Sequence, residues 1–75
     1  MADNDTVDYF DLITIGEVMR LTSMARSTVY KRMDQDAGVP YDATFPLPIK
    51  IGPRHIRWER SKINKWMQNK IDKNE

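Results

Sequence analysis

The 75-residue chain has no cysteine, which removes disulfide frameworks, thiol nucleophiles and cysteine-based zinc sites together. It has a single histidine, His55, and one imidazole without partner ligands makes no metal site. No Ser or carboxylate arrangement around it supports nucleophilic or acid–base chemistry. No apolar run approaches the roughly 20 residues that a membrane span needs, and the acidic beginning is unlike a signal peptide. A domain of this size buries only about 60% of its unfolded surface, leaving little depth for a catalytic cleft. These absences lead us to expect a soluble, cytoplasmic chain with no enzymatic activity, no cofactor and no metal.

Net charge is only +1, but its distribution is uneven. Residues 1–17 hold Asp3, Asp5, Asp8, Asp11 and Glu17 and no Lys or Arg. Residues 18–65 hold ten basic residues against four acidic ones, Asp34, Asp36, Asp42 and Glu59, a local net charge of +6. Charge of this kind is the footprint of a polyanion binder. An ordinary solvated surface accounts for it equally well.

Residues 1–8, MADNDTVD, lack periodicity and read as a flexible acidic leader, with one domain following over residues 9–72. In TIGE, Thr14 and Glu17 have capping-box spacing, predicting a short helix over residues 15–21. TSMA connects it to a second helix starting near Arg26, with Val29 and Met33 on one face. That helix is expected to end between Asp34 and Gly38, with Gly38 in the left-handed region. Two short helices so joined make a candidate helix-turn-helix. After VPYDAT, the segment FPLPIKI alternates Phe45, Leu47, Ile49 and Ile51 with other residues, although Pro46 and Pro48 demote its first half. Gly52-Pro53-Arg54 forms a turn, and HIRW returns with Ile56 and Trp58 on one face, His55 and Arg57 on the other. Ile63, Trp66, Met67 and Ile71 form the apolar stripe of a last, basic helix. The expected fold is α+β, mainly α: helix, helix, two-stranded ribbon, helix, the order of a small winged helix-turn-helix. Phe45, Trp58 and Trp66 are expected in its core. Asp34, Asp36 and Asp42 fit solvation better than metal binding.

In such a fold the second helix enters the major groove by its N-terminal end. Arg26 suits a bidentate pair with guanine, Ser27 and Thr28 suit bases or phosphates, and Tyr30, Lys31 and Arg32 suit the backbone. Free N–H groups at that helix start also favour a phosphate. At the ribbon tip, Gly52 and Pro53 make a narrow, stiff turn that presents Arg54 to a minor groove. His55 and Arg57 line its outward face, and Lys50, Arg57 and Arg60 are placed to hold phosphates. A polar helix face and a soluble, edge-protecting turn are the plainer accounts of the same residues.

Three motifs in order carry a family resemblance: Arg26-Ser27-Thr28-Val29-Tyr30-Lys31, then Phe45-Pro46-Leu47-Pro48 with Ile51-Gly52-Pro53-Arg54, then Trp58 with Trp66. Over residues 12–68 the chain resembles the AlpA family of phage-type regulators and excisionases. Ala25 stands where that family carries a capping Ser, and VPYDAT lengthens the loop before Phe45. The resemblance implies a MerR-like winged helix that binds double-stranded DNA without catalysis. It implies a recombination directionality factor, which bends attachment-site DNA and biases a partner integrase toward excision of a phage or genomic island. A transcriptional regulator of integrase or prophage genes is the alternative, and a protein-interaction module that binds an integrase or repressor is another. The DNA-binding readings place the chain with the nucleoid. A single small module gives limited affinity, so several copies are expected on adjacent sites. The opposite charges of the leader and the last helix make self-association on DNA an expectation.

Overall fold

The computed structural model describes residues 11–73, so the leader expected over residues 1–8 lies outside the described residues. Strand β1 (Leu12–Ile13) leads into α1 (Ile15–Thr22), which is followed by α2 (Arg26–Met33). A 3-10 turn (Gln35–Ala37), strands β2 (Ile49–Gly52) and β3 (His55–Glu59), and α3 (Arg60–Lys73) complete the order.

Thr14 starts α1 as anticipated: its side chain accepts a hydrogen bond from the Glu17 N–H at 3.3 Å. The Thr22 hydroxyl bonds back to the Val18 carbonyl at 2.7 Å. Ser23 then takes a left-handed conformation (φ 59°) and turns the chain toward α2. Ala25 begins α2 with no side-chain cap. The end of α2 differs from expectation. Asp34, extended, stops the helix at Met33, and its carboxylate accepts from the Asp36 N–H at 2.9 Å to start the 3-10 turn. Gly38 follows that turn instead of the helix, with φ 78° and ψ −131°. This combination lies outside the left-handed helical region and is open to glycine almost alone.

The ribbon has a third strand. β3 is central, paired antiparallel with β2 on one side and with β1 on the other, where Leu12 faces Glu59 and Ile13 faces Trp58. Two residues are too few to show a strand's alternation, so β1 leaves no periodic signal in the sequence. In the hairpin, Ile49 faces Arg57, Lys50 faces Ile56 and Gly52 faces His55. The register shift leaves Ile51 as the extra residue of a bulge, 51% exposed. The first half of FPLPIKI is not strand, as its prolines imply, and the alternation of its second half fails at Ile51. Pro46 and Pro48 keep the chain out of the ladder until Ile49, leaving Leu47 71% exposed, and the bulge turns Ile51 outward.

Ile13, Val18, Val29, Phe45, Trp58 and Ile63 form the core. Helices, sheet and the segment before β2 thus share one apolar centre, with Trp58 and Ile63 fully buried. Trp66 packs edge-on to Phe45, ring centroids 4.9 Å apart and planes at 80°. The stripe of α3 is covered only as far as Met67, and Ile71 is 66% exposed. At the start of α3 the buried Glu59 receives the Lys62 ammonium at 3.2 Å.

Candidate nucleic-acid interface

Val29 and Met33 hold α2 to the core, and this fixes which residues it can show to a partner. Arg26, Ser27, Tyr30 and Lys31 are exposed, while Thr28 is half-buried. Ser27 and Lys31, at i and i+4, face away from Val29 and Met33, and Arg26 and Tyr30 lie on the flank beside them. The first intrahelical bond to the helix start is Val29 N–H to the Ala25 carbonyl at 3.1 Å. The N–H groups of Arg26, Ser27 and Thr28 precede it and have no acceptor within the helix. Ala25 supplies no oxygen to cover them. These N–H groups and the Arg26 guanidinium make the start of α2 electropositive.

Arg32 is placed differently. It is half-buried, donates from Nη1 to the Pro40 carbonyl at 3.2 Å, and its own carbonyl accepts from the Asp42 N–H at 2.9 Å. It fastens the loop after α2 to the helix.

On the hairpin, Lys50, Arg54 and His55 are exposed, with Arg54 in the two-residue turn between β2 and β3. Gly52 has a close neighbour here: a Cβ on it would meet the His55 ring at 3.2 Å. Arg57 is half-buried, and its Nη1 donates to the Ile56 carbonyl at 2.8 Å, which draws the guanidinium along the strand. Arg26, Lys31, Lys50 and Arg54 take part in no salt bridge among the described residues.

Arg60 sits in an ionic cluster that sequence reasoning missed. Its Nε donates to Asp11 at 2.8 Å and its Nη1 to Glu17 at 3.3 Å, while Arg20 also binds Glu17 through Nε at 3.1 Å and through Nη2. The Arg20 hydrogen bonds, reinforced by Arg60, bring the Glu17 carboxyl down to about 2 against the burial that opposes them. Asp11 and then Glu17 raise the Arg60 pKa, and Glu17 raises that of Arg20. These contacts use two of the five donors of the Arg60 guanidinium. Asp11 and Arg60 are 49 residues apart, so no local spacing could reveal the pair.

Asp42, read from sequence as a solvated acid, is the second omission. Its side chain is 12% exposed and accepts from the Thr44 N–H at 2.9 Å, the Thr44 hydroxyl, Trp66 Nε1 at 3.3 Å and the Lys70 ammonium at 2.7 Å. Burial pushes its carboxyl up, but the bonds from Lys70, Thr44 and Trp66 outweigh burial and hold it well below the usual range. The added length of VPYDAT is thereby tied to α3. Among the described residues no three His, Asp or Glu side chains gather as metal ligands, and no helix is long and apolar enough to cross a membrane.

The family model described as "Prophage CP4-57 regulatory protein (AlpA)" matches residues 11–71, most of the chain. The chain is 29% identical over 59 residues to the DNA-binding transcriptional activator AlpA of Escherichia coli (strain K12), covering 79% of this chain and 83% of that protein. It is 27% identical over 59 residues to the uncharacterized protein ORF88 of Enterobacteria phage P4, covering 79% of this chain and 59% of that one. No solved structure matches.

Proposed function

Since this chain belongs to the family of the prophage CP4-57 regulatory protein AlpA, we propose that it is a sequence-specific double-stranded-DNA-binding protein that acts as an excisionase. It binds near attachment sites of a phage or genomic island and bends them so that an integrase complex can assemble for excision. It works by binding and deformation of DNA, without catalysis, in the cytoplasm and on the nucleoid. The observation that carries the DNA reading is the start of α2: exposed Arg26 and Ser27 and uncapped N–H groups, with Tyr30 and Lys31 exposed one turn further along.

Arg26 reads guanine, and Ser27 and Thr28 take bases or phosphates. Tyr30, Lys31 and Arg32 border the groove. Arg54 enters the minor groove from the hairpin tip, with Lys50, His55 and Arg57 beside it. Arg60 serves phosphate with the donors that Asp11 and Glu17 leave free. Arg26, Lys31, Lys50 and Arg54, the four cations of this surface that join no salt bridge among the described residues, correspond to a salt slope, log K against log salt, of about −4.

A transcriptional regulator using the same surface is the second reading, favoured by the similarity to the DNA-binding transcriptional activator AlpA of E. coli. The two are separated by footprinting the native neighbourhood and measuring integrase-dependent excision with and without the protein. Protection at attachment-site arms, bending seen by end-to-end energy transfer, and stimulated excision support the excisionase. Protection confined to promoters with no change in excision supports the regulator. Absence of any duplex footprint leaves a module that binds an integrase or repressor.

A further inference from the structure

On the side of α3 away from Arg60, a groove of about 270 Å³ runs between that helix and the segment before β2. Thr44, Pro46, Lys62, Lys65, Trp66 and Asn69 line it. The helical residues stand at i, i+3, i+4 and i+7, a single stripe. None belongs to the surface assigned above to DNA. Trp66 makes a rigid floor, held by Phe45 at its edge, by Asp42 at its Nε1 and by Lys70 at 5.5 Å from its centroid. Lys62 is shared with Glu59, whereas Lys65 is exposed and joins no salt bridge among the described residues. Leu47, next to Pro46, adds exposed apolar surface. An apolar floor with a cationic rim fits an acidic peptide segment that carries apolar side chains.

We propose that this groove docks the acidic N-terminal leader of a second copy of the chain. Residues 1–10 supply the complementary chemistry: Asp3, Asp5 and Asp8 with no basic side chain, and Val7, Tyr9 and Phe10 among them. The position of Asp11 sets the choice of copy. Its carboxylate is held by Arg60, which lies roughly 200° around α3 from Lys62. From Asp11, a chain's own leader would spend about half of its extended reach (roughly 3.3 Å per residue) passing around α3 before meeting the groove, a cost that a neighbour's leader does not bear. Carboxylates meet Lys65 and Lys62, and an apolar side chain covers Trp66 and Pro46. The contact supplies the self-association that multi-site binding calls for, yet it needs no DNA, so its failure and that of the DNA reading are distinguishable.

The absence of cysteine allows a direct test in the full chain. Asn4→Cys and Asn69→Cys variants, each with one thiol, are mixed at low salt under mild oxidation. The expected result is that the mixed disulfide forms faster than either homodimer and slows with added salt. Lys65→Glu in the Asn69→Cys copy should slow it about fivefold, the size expected for loss of one surface ion pair, and Asp5→Lys in the other copy should restore it. A mixed disulfide no faster than the homodimers, or one indifferent to Lys65→Glu, overturns the proposal. A chain carrying both thiols that closes on itself at a concentration-independent rate, in preference to the mixed dimer, overturns it in favour of a leader folded back in its own copy.

Discussion

Removing the Asp42 carboxylate tests how the loop is tied to α3. Asp42→Ala deletes the acceptor for Thr44, Trp66 and Lys70 at once. Hydrogen bonds to a charged group contribute about 1.5–3 kcal/mol each. Desolvation of the carboxylate offsets part of this. Lys70 is 52% exposed, so its share is that of a surface pair, about 0.2–1 kcal/mol. The net loss is then about 2–3 kcal/mol, which at this size lowers Tm by about 10–20 °C. Asp42→Asn, which keeps the acceptor for Thr44 but turns an NH2 toward Trp66 Nε1 and Lys70, should cost about 1–3 kcal/mol. Because the folded carboxyl lies below its ordinary value of 3.8, its contribution is full above that value and is lost as pH falls through the folded pKa. Thermal unfolding followed by far-ultraviolet circular dichroism at pH 7 and pH 3 checks both points. Wild type should lose more degrees between the two pH values than Asp42→Asn. Equal losses in the two proteins, or an Asp42→Ala Tm within 3 °C or so of wild type, would refute the reasoning.

Other perturbations follow from the same structure. Ala25→Ser gives α2 the side-chain cap it lacks and should stabilise the domain by about 1 kcal/mol, read as a higher midpoint in urea. Gly38→Ala places a Cβ at φ 78° and should destabilise by about 1–2 kcal/mol although open space surrounds it, again read in urea. Trp58→Ala empties the centre of the core at a cost of about 3–5 kcal/mol. Circular dichroism at 25 °C should show for it the lowest urea midpoint of these variants.

Local signals were legible where the physics is local. The Thr14 cap, the start of α2 at Arg26, the Gly52–Arg54 turn and the burial of Val29, Phe45 and Trp58 each follow from short-range pattern. What escaped depends on partners distant in the chain. Asp42 looks like a loop acid until Trp66, 24 residues on, donates to it. Arg60 looks like a free cation until Asp11 and Glu17 are folded against it. The strand at Leu12–Ile13 exists because β3 offers an edge, not because its own two residues specify one. Ile51 shows the converse, an alternation overruled by a bulge, whereas the prolines beside Leu47 already signal its departure from the ladder. At the candidate interface the sequence nominates residues whose chemistry suits DNA. The fold divides them into cations without ion pairs and those already engaged.

The most direct test of DNA recognition by α2 is fluorescence anisotropy with duplex from the chain's own genomic neighbourhood and with scrambled duplex, for wild type and Arg26→Ala. The native duplex should bind more tightly, and Arg26→Ala should narrow its advantage by about 1–3 kcal/mol. No binding of either duplex at low salt, or an Arg26→Ala loss equal on both, would contradict a sequence-reading role for this helix.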